Sequence, residues 1–169
     1  MRKKLNSQSG LTLVELLAAT VVLMLLGLIL NTGLQTALST YRTITAQSEL
    51  ELLLSTAVDA LTDDLRYARD VSGENTSFTY TSDSFGEGTS LTVDLADGQI
   101  KANGKRVLST GAYGLNGAYK VKEMTIDHPK ESDHFTINLT VTTQDGSLSA
   151  KTPDEGVVVR CLNAKKESP

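Results

Sequence analysis

Tryptophan is absent from the chain and cysteine occurs once, at Cys161, so no disulfide can form within its 169 residues. A domain facing an oxidising compartment must then rely on its own packing and on neighbours. Acidic residues are missing from the first ten positions, where Arg2, Lys3 and Lys4 supply three cations. Motifs of enzyme chemistry are missing as well: there is no G-x-S-x-G, no Walker loop and no H-E-x-x-H. Nor is there a basic excess, since 16 cations face 20 acids for a net charge of −4. Direct nucleic-acid binding is not expected of such a surface.

What is present is an apolar run. Residues 11–30 number twenty and hold one charge, Glu15. At about 1.5 Å per residue they span about 30 Å, the thickness of a bilayer's hydrocarbon core, so the piece can cross a membrane as a helix. The positive-inside rule keeps Arg2, Lys3 and Lys4 in the cytosol and directs the rest of the chain outward. A cleaved secretory signal would be followed by a small-x-small site, yet the residues after Leu30 read N-T-G-L-Q-T-A-L-S, without A-x-A. A plain signal anchor gives no reason for a carboxylate among its first apolar residues.

Gly10 followed by L-T-L-V-E-L-L resembles the class III signal of type IV pilins and of the pseudopilins of type II secretion and competence systems, whose usual form is G-F-T-L-x-E. Leu11 stands where phenylalanine is usual, one apolar residue for another. The resemblance implies a prepilin peptidase that cuts between Gly10 and Leu11 on the cytosolic side, N-methylation of Leu11, and a role for Glu15 in subunit register. It also implies further partners: other pilin or pseudopilin subunits, an inner-membrane platform protein and a cytosolic assembly ATPase. No cofactor is implied. The precursor would be a single-pass cytoplasmic membrane protein, and the assembled product a cell-surface filament.

Glu15 lies four residues past Leu11, about 6 Å along a helix, shallow enough to reach toward the headgroups. Its cost there is below the roughly 3 kcal/mol of an acid at the bilayer centre. Cutting after Gly10 removes three cations, leaving 13 against 20 acids and a net charge of −7. The cut also creates an α-amino cation beside Leu11, which in a packed bundle can pair with Glu15 of a neighbouring subunit. Desolvation consumes much of that attraction, so the expected contribution is register.

Beyond the apolar run a helical pattern continues. Leu34, Leu38 and Tyr41 fall at spacings of three and four, and Leu50, Leu54, Val58, Leu61, Leu65 and Ala68 extend it, with Glu49, Glu51, Asp59, Asp63 and Asp64 elsewhere on the circumference. The pattern predicts one helix over residues 11–71, with Arg66 and Arg69 in its last turns and Gly73 as its stop. Gly27 and Gly33, flanking Asn31, are its weakest helix formers, and bending or melting is expected there if a subunit is drawn from membrane into filament. The proline that the pilin family often carries in this region is absent.

After Gly73 the period becomes two. Strands are expected over 77–81, 91–95, 99–101 and 105–108, with a loop over 82–90 and tight turns at Asp97-Gly98 and Asn103-Gly104. The last three of these strands make a meander. Residues 109–119 read as loop, and Val121, Met124 and Ile126 as a strand. Phe135, Ile137, Leu139 and Val141 alternate with Thr136, Asn138, Thr140 and Thr142, the clearest half-buried strand in the chain. Asp145-Gly146 turns it into 147–151, Gly156 opens a final strand over 157–162, and 163–169 read as a frayed end. The expected fold is α+β: a leader over 1–10, a transmembrane or filament-core helix over 11–30, its amphipathic continuation over 31–73, and an antiparallel β domain over 74–169.

Candidate chemistry in that domain is thin. His128 and His134, with Asp127 and Asp133 beside them, fit no named metal-ligand spacing, and a solvated turn is the favoured reading. Cys161 with either histidine would make a thiol and base, but a cysteine inside V-V-V-R-C-L is more often a small packed residue. Asp94 with Asp97, or Asp83 with Glu87, are carboxylate pairs without the spacing of a calcium loop. Asn75-Thr76-Ser77 and Asn138-Leu139-Thr140 satisfy the glycosylation pattern. The expectation is a non-enzymatic filament subunit, a minor one, without metal or cofactor. Two other classes stand beside it: an anchored extracytoplasmic binding module that never polymerises, and an anchored hydrolase using His128, His134 or Cys161.

Overall fold

The computed structural model describes residues 12–94, 97–108, 113, 117–129 and 132–163. The fold is α+β: a long helix, α1 (Leu13–Arg66), followed by antiparallel strands, ten of them among the described residues. Two compact units divide the chain, Met1–Ile44 and Thr45–Pro169, with the boundary inside α1.

In the second unit the helix contributes an apolar stripe. Leu50, Ala57, Leu61 and Leu65 are fully buried, and Leu53, Leu54 and Val58 are half-buried beside them. Their spacings of seven and four hold one face of a 3.6-residue repeat toward the sheets. Ala57 joins the stripe because its small side chain lets the helix approach closely, a role its size makes hard to read from hydropathy.

The strands form three small sheets. One has the order β1 (Arg69–Glu74), β2 (Ser77–Ser82), β3 (Gly86–Thr89). The second is the expected meander of β4 (Leu91–Asp94), β5 (Gln99–Ala102) and β6 (Lys105–Arg106). The third runs β10 (Val157–Arg160), β8 (His134–Thr143), β7 (Tyr119–Asp127), with β9 (Ser149–Lys151) also paired to β8. Phe135, Ile137, Leu139 and Val141 of β8 are buried as their alternation predicts, and they share one core with Tyr80, Ile100, Val159 and the helix stripe. Two links join the meander to the third sheet: the Val121 N–H donates to the Gly98 carbonyl at 2.9 Å, and Gly98 at φ 63° has no room for a Cβ, which would lie 2.5 Å from that of Lys120.

Two expectations are corrected. The helix ends at Arg66, not near Val71, and residues 69–74 form β1 instead of its last turn. Arg69 therefore does not complement the helix dipole; it pairs with Asp83 across the β1–β2 hairpin region, while Arg66 keeps the last-turn place. Gly73 is not a helix stop. It sits in β1 at φ 100°, where a Cβ would lie 2.3 Å from the Ser77 carbonyl oxygen, so it permits the tight β1–β2 return. The second correction is in the loop expected over 82–90, which contains β3. Ser82 Oγ accepts the N–H groups of Ser84 and Phe85 at 3.1 and 3.0 Å, closing the turn that brings β3 back onto β2. Residues 109–112 and 114–116 of the expected loop, and 164–169 of the expected frayed end, lie outside the described residues.

Polar bonds fix the helix on this core. The Tyr80 hydroxyl and Ser82 Oγ both donate to the Asp64 carboxylate, and the Tyr119 hydroxyl donates to Glu49. Burial, then Asp64, pushes the Tyr80 phenol well above the ordinary range. The bond to Glu49 pushes Tyr119 up to about 12, and burial pushes Tyr113, whose oxygen accepts the Ile100 N–H, up to about 12. All three favour the protonated phenol in the folded chain. Their stabilisation is complete below the unfolded tyrosine value of about 10; the share of Tyr113 and Tyr119 is lost as pH rises through about 12, and that of Tyr80 only beyond it. Urea-unfolding midpoints should therefore be flat at neutral pH and fall steeply across that alkaline window. Leu61→Ala, which opens a cavity under the helix, should cost about 2–5 kcal/mol in the same assay.

Candidate assembly helix

The first unit holds the other half of α1, with no buried residue among those described. Every described residue from 12 to 44 is exposed, among them Leu13, Leu23 and Leu30 at 79, 67 and 72%. An apolar helix in this state is unstable in water and demands lipid or protein around it. It is long and apolar enough to cross a membrane, consistent with a signal-anchored protein. It runs unbroken through Gly27, Asn31 and Gly33.

At its start the chain closes a capping box. The Thr12 N–H donates to Glu15 Oε2 at 2.9 Å and the Thr12 hydroxyl donates to the same oxygen at 3.0 Å, while the Glu15 N–H donates to Thr12 Oγ1 at 3.3 Å. A helix leaves its first N–H groups without internal partners, and a Thr-x-x-Glu pair answers two of them reciprocally. Glu15 thus has a partner within its own chain, which the sequence reading missed although the Thr12-to-Glu15 spacing carries the signal. Gly10 and Leu11, the expected cleavage and methylation positions, lie outside the described residues.

Further along, polar side chains turn back on the helix. Thr20 donates to the Leu17 carbonyl, Thr32 to those of Leu28 and Ile29, Thr36 to Thr32, Ser39 to Thr36 and Thr43 to Ser39, at 2.8 to 3.1 Å. The Gln35 amide donates to Asn31 Oδ1 at 2.7 Å. Such internal bonds let hydroxyls enter an apolar environment with little penalty.

Among the described residues no hydrogen bond joins the Cys161 thiol to either histidine. His128 is buried, stacked on Phe135 at 4.7 Å between ring centres, with Nδ1 3.2 Å from the His134 carbonyl oxygen. His134 is partly exposed beside Asp133, which Arg160 also holds at 2.7 Å; this arginine is the main reason the Asp133 carboxyl lies below its usual range. Cys161 is 6% exposed, and its thiol donates to the Ala68 carbonyl. Asp94 and Asp97 both face Lys101, which offsets one of their two charges, and Asp83 is paired with Arg69. Among the described residues no cluster of three histidine, cysteine or carboxylate side chains is placed to hold a metal ion. Asn138 lies within the paired strand β8, and Asn75 bridges to His128.

No family model matches the chain, and neither a curated protein nor a solved structure matches it.

The box makes its own prediction. Thr12→Ala and Glu15→Ala should each fray the first turn by about 1 kcal/mol, read as faster amide exchange at residues 13–16 in detergent micelles. Exchange beyond the second turn should not change.

Proposed function

We propose that the chain is a non-enzymatic subunit, a minor one, of a type IV pilus or of a type II secretion or competence pseudopilus. The precursor inserts with its N-terminus in the cytosol, is cut after Gly10, is N-methylated at Leu11 and polymerises through the first half of α1, which begins at Leu13. The observation that carries this reading is an uncovered apolar helix whose first turn holds one carboxylate, preceded in the sequence by glycine and a basic leader. Lipid covers such a helix before assembly, and neighbouring copies cover it afterwards.

Glu15 then has two tasks. Both hydrogen bonds to its carboxylate among the described residues fall on Oε2 and tie it to Thr12, the residue that follows in the sequence the Leu11 amine which a cut after Gly10 would leave. Oε1 is the oxygen we assign to the amine of an adjacent subunit. The charged pair gains from low dielectric and loses to desolvation, so it fixes axial position more than it adds affinity. A prepilin peptidase, other pilin-type subunits, a platform protein and an assembly ATPase are the partners this reading requires.

The capping box favours a second reading, because it gives Glu15 a structural task that needs no neighbour. On that reading the chain is an anchored extracytoplasmic binding module that works alone.

Two measurements separate them. Protein taken from its native membranes should begin with N-methyl-leucine at position 11; a chain that retains Met1 removes the filament reading. Glu15→Gln keeps a capping side chain but no charge. It should leave helix content unchanged and abolish incorporation into filaments, whereas an anchored module tolerates it fully.

A further inference from the structure

The exposed helix is longer than one crossing requires. Between Glu15 and Arg42 lie 26 residues without a charge, 16–41, all of them exposed. They measure about 39 Å, against about 30 Å for a hydrocarbon core and about 40 Å once the headgroups are included. Two placements of this rod in a bilayer differ in what they bury.

Centring residues 11–30 sinks the Glu15 carboxylate about 6 Å into hydrocarbon and leaves Leu34, Leu38 and Tyr41 in water or at its edge. Moving the core to residues 16–35 keeps Glu15 and its box among headgroups and covers Leu34. That shift buries Asn31, Thr32 and Gln35. Thr32 already donates to two carbonyls, and Gln35 to Asn31, so the added polar cost is small beside that of a carboxylate. The shift also sets Tyr41, 70% exposed, and Arg42 about 9 to 10 Å past the hydrocarbon edge, from where long side chains that tilt toward the helix N-terminus reach back into the far headgroup layer. An aromatic ring followed by a cation is what that layer accommodates: the ring lies near the glycerol groups, and the guanidinium reaches phosphate oxygens.

We propose that residues 16–35 form the hydrocarbon-crossing part of the helix and that Tyr41 and Arg42 dock on lipid phosphate at its C-terminal side. Arg42 is the only cation among residues 12–65, so no other side chain of this segment supplies that charge. The placement depends on the helix crossing a bilayer and is independent of polymerisation.

The test uses the full chain in vesicles of phosphatidylethanolamine and phosphatidylglycerol, without other subunits. Since the chain has no tryptophan, Tyr41→Trp supplies a single probe. Its emission should shift to the blue of water-exposed indole and be quenched by lipids brominated high on the acyl chain, and adding Arg42→Glu should remove both effects. Emission like that of indole in water, or quenching indifferent to Arg42→Glu, overturns the proposal. A second measurement does not depend on the tryptophan. In a Cys161→Ala background, Leu34→Cys should react with a water-soluble maleimide at least about tenfold more slowly than Ser48→Cys, each normalised to the denatured chain. Equal rates also overturn it. Failure of either measurement leaves the processing and filament experiments to be judged separately, because neither involves the peptidase or a second copy.

Discussion

Burial of Leu50, Ala57, Leu61 and Leu65 against the sheets is the interaction on which the folded unit depends. The three sheets are small, β6 has two residues and β9 three, and isolated short ladders of this kind are marginal in water. Each gains stability by presenting one face to a common core, and the helix is the element that core is built on. Without a disulfide, the remaining fixation is polar: Asp64 takes Tyr80 and Ser82, Glu49 takes Tyr119, and both acids lie on the helix. The helix thus presents apolar groups and carboxylate acceptors to the same sheets.

The same α1 meets a different demand before Thr45. There the apolar residues surround the helix instead of lining one face, so no single partner surface can satisfy them. Its polar residues are small hydroxyls or paired amides that bond internally, and its charges stand at the two ends of an uncharged stretch. This chemistry suits an element that changes surroundings, since most of the hydroxyls between its two charges already donate to the helix's own carbonyls. Subunits that leave a bilayer for a fibre need that indifference, which is why the filament reading and the lipid placement rest on the same residues.

Legibility in the sequence followed burial. β8 was plain because its inward residues are large and strictly alternate with threonine and asparagine, and the meander was plain because Asp97-Gly98 and Asn103-Gly104 mark its turns. β1 was hidden because Arg69–Glu74 is almost wholly exposed and carries no alternation, while Ala68, buried by tertiary packing, mimics one more helical turn. β3 was hidden because Gly86–Thr89 has two glycines and buries one residue, so pairing with β2 and the Ser82 turn decide it, and neither is a local signal. At the helix start, apolar context made Glu15 look partnerless, and the hydroxyl three residues earlier outweighed that context. The two histidines sit six residues apart, yet the chain turns one inward onto Phe135 and leaves the other beside Asp133, a division that spacing does not encode.

The Cys161 thiol is packed at the end of β10 with its hydrogen directed at a backbone oxygen. A sulfur so enclosed is shielded from dissolved oxidants and from the sulfur of another molecule. Two copies of this chain brought together under oxidising conditions would therefore not be joined through that sulfur while each stays folded.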